Sequence, residues 1–228
     1  MGFFDHFTGK AAGATGSWIG SLGDGLGIAS AFTDGKTSDG LGIASGGVAT
    51  ISNLMAIGGG IGTVLDKKAD SDDQLDAWFD MGEGSIGALG GIADMAAGGF
   101  GLRDNHKGKG VSQMISGGLG ILGGLLSGGK AIYDIKKAHT KDKNGKSGSV
   151  EDKVAAWTKL GGSVTSLFNG IVNIGQGRYE YSDQSDSAAG KRWAHAGKAG
   201  AIAGIIPGLI GSALQTKEAV DFSKRKKK

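Results

Sequence analysis

Long apolar stretches alternate with short polar connectors along the whole chain of 228 residues. Each stretch has the length of a helix and ends where charged or turn-forming residues resume. Alternation with a period of two, which marks half-buried strands, does not occur in them. The pattern predicts an all-α fold, residues 1–228 forming one repeat-like helical domain, with apolar helices at approximately 13–32, 40–65, 73–102, 110–139, 150–181 and 187–223.

Capping and helix-breaking residues indicate where individual helices begin or change direction. Ser71 or Asp72 can cap the third helix, and Ser149 with the following acidic residues starts the fifth. Pro207 is expected to bend or restart the sixth helix. Because the connectors are short, consecutive helices are expected to pack as antiparallel hairpins.

Glycine dominates the composition, with 47 residues against a single proline. Each glycine inside a helix costs about 0.5–1 kcal/mol relative to alanine, so close approach of helix backbones is the expected compensation. Glycines spaced by four form one ridge on a helix, as in a glycine zipper. The glycines expected to pack helices in this way are Gly58, Gly62, Gly87, Gly91, Gly120, Gly124, Gly128, Gly200, Gly204 and Gly208. Accordingly, Gly124→Leu is expected to be more damaging than Leu125→Ala.

Aromatic and basic residues collect at the edges of the apolar stretches. The four tryptophans lie near the starts of stretches, as in the aromatic belt of a membrane protein. Exclusion of bulky residues from a glycine-lined middle explains the same placement, and both explanations stay open. A basic tail would be attracted to anionic lipid. The expected membrane-interface residues are Trp18, Trp78, Trp157, Trp193, Lys224, Arg225, Lys226, Lys227 and Lys228.

No catalytic or ligand-binding pattern stands out. Two GxGxxG patterns, at 82–87 and 118–123, occur about as often as chance allows in so glycine-rich a chain. Residues 124–130 imitate a phosphate-binding loop but lack its Ser or Thr, and the four histidines have no metal-ligand spacing. The acidic residues between Asp72 and Glu83 are interpreted as solvated charges at a helix start. The chain is therefore not expected to be an enzyme or to bind a cofactor, a metal, a small-molecule substrate or nucleic acid.

Length and charge bear on whether the stretches span a membrane. Spanning takes about 20 predominantly apolar residues, a length that the second and fourth stretches reach. The basic connectors 103–109 and 136–146 flank the same stretch, against the positive-inside rule for a constitutive membrane protein. A chain whose mean hydropathy is close to zero is therefore expected to be soluble first, to close its apolar faces on each other, and to open before inserting.

Two short runs, GLGILGGLLSGG at 118–129 and GAIAGIIPGLIG at 200–211, resemble glycine-zipper segments of secreted pore-forming effectors and of internal ejection proteins of tailed bacteriophages. The resemblance assigns no residue a role. The favoured hypothesis is a membrane-active helical protein that inserts Gly-rich hairpins and permeabilises a bilayer. The alternatives are a structural or ejected component of a phage virion or secretion machine, and a soluble helical protein that binds a partner through apolar faces.

Partners and location follow from these hypotheses. The expected partners are a lipid bilayer and either further copies of the chain or a larger protein assembly. The N-terminal residues MGFFDHFTGK lack the basic start and unbroken apolar core of a Sec signal peptide. The protein is therefore expected to be secreted by a signal-peptide-independent route or to be membrane-associated, and alternatively to belong to a virion.

Overall fold

A computed structural model describes residues 10–67, 69–141 and 147–226, and side-chain environments for 15–67, 69–141, 147–214 and 216–217. Helices follow one another along the chain, and within these ranges there is no strand. The helices are α1 (Lys10–Phe32), α2 (Gly35–Val64), α3 (Ser71–Leu102), α4 (His106–His139), α5 (Val150–Tyr181) and α6 (Ala188–Lys226). The predicted all-α fold class is confirmed.

The first nine residues, part of the basic connector 136–146, and Lys227 and Lys228 lie outside the described residues. The same holds for the side chains of Lys224, Arg225 and Lys226. The predictions made for the N-terminus and for the basic tail therefore remain predictions.

Helix starts are fixed by side-chain caps close to where the sequence indicates them. The cap of α3 is Asp70, whose carboxylate accepts hydrogen bonds from the backbone N–H groups of Asp72 and Asp73 at 3.0 and 2.8 Å. The prediction of Ser71 or Asp72 as the cap was wrong. A capping side chain accepts from backbone N–H groups two or three residues after it, and Asp70 stands in that position here. Ser149 begins α5 as predicted, in a capping box with Asp152.

The single proline does not divide the last helix. α6 runs from Ala188 to Lys226 with Pro207 inside it, so the expected restart of the helix is wrong. Proline removes one hydrogen bond of the helix ladder at a cost of about 3 kcal/mol. The hydrogen bonds on both sides of Pro207 continue the helix across this gap.

The six helices pack in a cycle. Each of them packs on the helix before it and the helix after it, and α6 returns to pack on α1. Within the described ranges, every helix pair with extensive contact belongs to this cycle. The helices therefore surround an interior instead of covering a central helix.

α2 and α3 approach each other so closely that their contacts involve backbone atoms. At four places along the pair, a Cβ atom built on a glycine would lie within 3 Å of a carbonyl oxygen of the other helix. These contacts are Gly98 with Asp39 at 2.5 Å, Gly91 with Gly46 at 2.6 Å, Gly84 with Asn53 at 2.8 Å, and Gly60 with Ala77 at 2.9 Å. Successive contacts are seven residues apart on both helices, and they join early residues of α2 to late residues of α3.

α4 and α5 repeat the arrangement. A Cβ on Gly117 would lie 2.5 Å from the carbonyl oxygen of Gly170, and one on Gly110 would lie 2.5 Å from that of Gly177. The α4 row is defined as the buried small residues that recur every seven positions on this helix: Gly110, Gly117, Gly124, Ala131 and Ala138. A straight α-helix nearly returns to the same face after seven residues, so such a row can follow a neighbouring helix along its length.

Small residues make up most of the buried part of the described chain. Among the described residues, the largest side chains that are fully buried are Val172 and Ser212. Most large apolar side chains are instead half-buried or exposed. The backbones of α2 and α3, and those of α4 and α5, approach closely, and a conventional core of large apolar residues is missing from the described part of the chain.

Candidate functional site: a polar interior within an apolar shell

The outside of the ring is covered by large apolar side chains, most clearly on α5. Six exposed residues recur there at helical spacing: Val154, Trp157, Val164, Phe168, Ile171 and Ile174. The stripe from Val154 to Ile174 measures about 30 Å at 1.5 Å per residue, which equals the hydrocarbon thickness of a bilayer. Each of the other helices also exposes large apolar residues, for example Leu22, Ile51, Leu89, Leu122 and Ile206.

Four helices are long and apolar enough to cross a membrane. They are α2, α3, α4 and the part of α6 from Ala188 to Leu214. Between 11% and 33% of the most apolar window of each is buried, so most of its apolar length is accessible. α5 does not belong to this group. Its outer face is apolar, but the polar side chains on its inner face lower the mean hydropathy of the helix as a whole.

The tryptophans expected at a membrane interface occupy two kinds of environment. Trp18, Trp78 and Trp157 are 47%, 62% and 56% exposed, and each lies seven or eight residues after the first residue of its helix. Trp193 is half-buried instead, with its indole ring against Gly175 of α5. Trp18 also donates a hydrogen bond from Nε1 to Oγ1 of Thr216 on α6, at 2.6 Å.

The ten glycines expected to pack helices differ in how closely they meet a neighbour. Gly91, Gly124 and Gly200 are buried, and Gly87 lies against the side chain of Asn53. Built Cβ atoms on a second group would be 2.9 to 3.6 Å from an atom of a neighbouring helix, and this group consists of Gly120, Gly128, Gly204 and Gly208. Gly58 and Gly62 are half-buried.

The seven-residue rows were not among the predictions, which placed the packing glycines four residues apart. Only Gly124 of the ridge expected on α4 belongs to the α4 row, and Gly60 contacts α3 through a position between Gly58 and Gly62. The recurrence of Gly or Ala at 110, 117, 124, 131 and 138 is visible in the sequence and could have indicated the row.

Two polar cavities of about 900 and 690 Å³ lie inside the ring. All six helices contribute to their walls. Asp24, Asn169 and Gly204 line both cavities, so the cavities meet at the level of these residues. Hydroxyl and amide groups such as those of Ser166 and Asn173 line much of the remainder. The interior is thus suited to water and to ions.

Acidic groups outnumber basic groups on the cavity walls. Nine carboxylates line the two cavities: Asp24, Asp34, Asp39, Asp80, Glu83, Asp94, Glu151, Asp152 and Glu180. Four lysines line them: Lys109, Lys159, Lys198 and Lys217. The chain as a whole carries a formal charge of +3. The interior is therefore negative within a protein that is positive overall.

Most of these lysines are paired with carboxylates. Lys109 Nζ lies 2.8 Å from Asp39 Oδ1 and 3.8 Å from Glu180 Oε1. Lys159 Nζ lies 3.4 Å from Glu83 Oε1 and 4.0 Å from Asp80 Oδ1. These pairs neutralise the two lysines and leave the carboxylate excess in place.

The other two lysines lie close to groups on neighbouring helices. Lys217 on α6 forms an ion pair with Glu151 at the start of α5. The Nζ atom of Lys198 lies 5.5 Å from the centre of the Phe32 ring, in a cation–π contact. Each of the four lysines thus has a partner in the described part of the chain.

Asp24 differs from the other charged groups of the interior. It is exposed, it lines both cavities, and it makes no hydrogen bond or ion pair with any described residue. Its Oδ2 atom lies opposite Gly208, where a built Cβ would be 2.9 Å away. A free carboxylate therefore faces the point where the two cavities meet.

The acidic residues at the start of α3 were interpreted from the sequence as solvated charges, and three of them also form ion pairs, with the side chains of Asp76 and Asp80 still 45% and 54% exposed. Asp76 forms an ion pair with Lys130, which is only 3% exposed, at 2.6 Å. Asp80 and Glu83 line a cavity and pair with Lys159. Positions 76, 80 and 83 share one helix face, which was the signal in the sequence.

The patterns that imitate nucleotide-binding loops lie inside helices. Residues 82–87 belong to α3, and residues 118–123 and 124–130 belong to α4, so none of them forms a turn between a strand and a helix. Among the described residues, no group of three or more His, Asp or Glu side chains is arranged to hold a metal ion. The polar interior remains as the candidate site.

The chain matches no protein-family model, no curated protein and no solved structure. The structure combines a cycle of six helices, an apolar outer surface and a negative interior.

Proposed function

We propose that the chain is a membrane-active protein that spans a lipid bilayer as a ring of helices and permeabilises it through its polar interior. The inverted distribution of polar and apolar residues carries this proposal. In water-soluble domains, large apolar side chains fill the core. Here Trp78, Leu125 and Ile206 are exposed, while carboxylates, amides and hydroxyls line the inside. A surface of this kind suits hydrocarbon as its solvent.

In this proposal the helices form antiparallel hairpins with glycine-zipper packing. The contacts support this geometry, because Asp39 near the start of α2 lies against Gly98 near the end of α3, and Gly110 early in α4 lies against Gly177 late in α5. Helices in lipid gain no hydrophobic free energy from associating, so close contact between small residues is a main source of their attraction. The seven-residue rows supply such contacts.

The exposed tryptophans support one membrane surface near the starts of α1, α3 and α5. In an antiparallel ring these three helices begin on the same side, and Trp18, Trp78 and Trp157 lie at similar distances from their starts. Tyr181 is exposed at the other end of α5. The helix rises about 36 Å between Trp157 and Tyr181, which places both rings near the head groups of a bilayer about 30 Å thick.

The outward position of the apolar side chains also changes the expected mode of insertion. A bundle that hid its apolar faces would have to open before binding lipid, as expected from the sequence. Side chains such as Leu122 and Ile171 are already exposed on the closed ring. We therefore propose that the ring inserts without opening, and that lipid is its partner in place of any substrate.

Dye release from lipid vesicles tests the proposal. The full chain should release a trapped dye, and it should do so at lower protein concentration from vesicles that contain anionic lipid. A chain lacking Lys224 to Lys228 should lose this preference, because each basic residue near an anionic surface contributes about 1 kcal/mol.

The same experiment separates the alternatives. No release from either type of vesicle, together with a large soluble assembly of the chain, would contradict the membrane proposal and favour a component of a virion or secretion machine. A soluble monomer without release would favour a partner-binding protein.

A further inference from the structure

We infer that the interior of the ring conducts cations in preference to anions, with Asp24 at the junction of the two cavities as the residue that contributes most to this selectivity. The inference rests on the proposed function, because it describes what passes through the interior once the ring spans a bilayer. It follows from three observations on the cavity walls.

The first observation is the position of Asp24. Its carboxylate lines both cavities, so an ion that moves from one cavity to the other passes it. Asn169 lines both cavities as well, and its amide offers an oxygen ligand to a cation. No lysine or arginine among the described residues forms an ion pair with Asp24. The charge of Asp24 is therefore available to a passing ion.

The second observation concerns the lysines of the interior, which could otherwise attract anions. Lys109 and Lys159 are each shared between two carboxylates, and Lys217 is paired with Glu151. An anion that approached these lysines would have to displace a carboxylate from them. The positive charge of these three lysines is thus cancelled where it arises, whereas Lys198, in contact with the Phe32 ring, keeps its charge.

The third observation is the balance of charge along the whole path. Nine carboxylates and four lysines line the two cavities. Walls of one charge sign surrounded by a medium of low dielectric constant focus the field and raise the local concentration of counter-ions by about 10- to 1,000-fold. Rings of Asp and Glu side chains select cations in channels by this effect. The same physics applies to this interior when lipid surrounds the ring.

Current through a planar bilayer tests the inference. The full chain is added to a membrane of neutral lipid that separates two KCl solutions of different concentration, and the reversal potential gives the ratio of K⁺ to Cl⁻ permeability. We expect K⁺ to be favoured by about tenfold in the wild-type chain, in line with the lower end of the expected counter-ion enrichment. The sign of the reversal potential decides the question without any variant.

Variants then test the part assigned to Asp24. Asp24→Asn should reduce the K⁺ preference severalfold, and Asp24→Glu should retain it, because only the second keeps a carboxylate at the junction. Asp73→Asn is the matched control, since it removes one negative charge from an exposed helix start that lines neither cavity. It should leave the reversal potential unchanged.

Each outcome distinguishes the inference from the proposal on which it rests. If the wild-type chain carries no current, both are overturned. If it carries current with equal permeability for K⁺ and Cl⁻, or with a preference for Cl⁻, the inferred selectivity is overturned while the membrane function stands. If Asp24→Asn conducts with the wild-type reversal potential, the assignment to Asp24 is overturned.

Discussion

α4 and α5 meet backbone to backbone, whereas α1 and α6 meet through hydroxyl groups. Gly117 and Gly170 leave no room for a Cβ atom between the first two helices. The α1–α6 seam consists of Ser17, Trp18, Ser21, Ser212 and Thr216. In this seam the Oγ atom of Ser212 lies 2.8 Å from the Oγ atoms of both Ser17 and Ser21. The seam therefore closes the ring through hydrogen bonds, whereas α4 and α5 meet through closely approaching backbones.

The difference shows two ways of joining helices that lack a core of large apolar residues. Small residues in a row let many backbone atoms come within van der Waals distance, and each such contact contributes only about 0.1–0.2 kcal/mol. A single hydrogen bond contributes about 0.5–1.5 kcal/mol, so a few hydroxyl groups can stabilise a helix pair as much as many van der Waals contacts, over a shorter length of helix. The loss of stability on substitution should therefore depend on the added side-chain volume in the α4 row. In the α1–α6 seam it should depend on the number of polar atoms removed.

The largest effect is expected from Gly124→Leu in the α4 row. A Cβ atom at this position would lie 2.8 Å from Cγ of Leu167 and 3.0 Å from its backbone nitrogen, so a leucine cannot be accommodated unless the two helices separate. Overpacking of this kind costs about 3 kcal/mol or more when backbone must move. Thermal unfolding followed by circular dichroism, in buffer or detergent, measures the loss.

Two controls on the same helix sharpen this prediction. Gly118→Leu makes the same substitution where a built Cβ meets nothing within 4 Å, and it should be tolerated. Leu125→Ala should change stability by about 0.5 kcal/mol or less, because Leu125 is 60% exposed and no cavity forms. If Gly118→Leu and Gly124→Leu are equally destabilising, the α4 row is not a helix contact.

A smaller effect is expected from Ser212→Ala in the seam. Ser212 is fully buried, and its hydroxyl donates to a backbone carbonyl while lying against two further hydroxyls. Its removal leaves partly buried polar atoms without a partner, at a cost of about 1–2 kcal/mol. The matched control is Ser85→Ala, because Ser85 is exposed and bonds only within its own helix. Equal stabilities of these two variants would show that the hydroxyls do not hold the seam.

The helices could be predicted from the sequence because their signals are local. The observed bounds lie within five residues of the predicted ones, and the capping residues around Ser149 are visible in the sequence. The face of each helix that meets a neighbour is a long-range property. Glycine occurs so often that spacings of four and seven compete, and only the position of the partner decides between Gly120 and Gly117.

The candidate site could be predicted only in part for a related reason. The tryptophans lie near helix starts in the sequence, and three of the four are exposed, whereas their place at a membrane interface stays a prediction. The carboxylates of the interior come from separate helices, and no local pattern joins Asp24 on α1 to Asp80 on α3 or Asp94. Their presence within apolar stretches was the available signal, since charged residues there are rare unless they face an interior.

The smallest effect is expected from locking the seam. The chain has no cysteine, so Ser17→Cys combined with Ser212→Cys introduces a single possible disulfide, and hydroxyls 2.8 Å apart place the two Cβ atoms near the separation that a disulfide needs. If the closed ring is the inserted form, oxidised and reduced protein should release dye from vesicles to the same extent. Ser17→Cys alone is the control for the loss of one hydroxyl.

This result is expected because every helix of the closed ring already presents apolar side chains outward, so no buried apolar face has to be released. Val164 and Ile206, for example, are exposed while α1 and α6 remain in contact. If reduction of the disulfide were required for dye release, the seam would have to open during insertion. The α1–α6 seam would then be the contact that opens, and the closely packed pairs α2–α3 and α4–α5 would be the units that enter the bilayer.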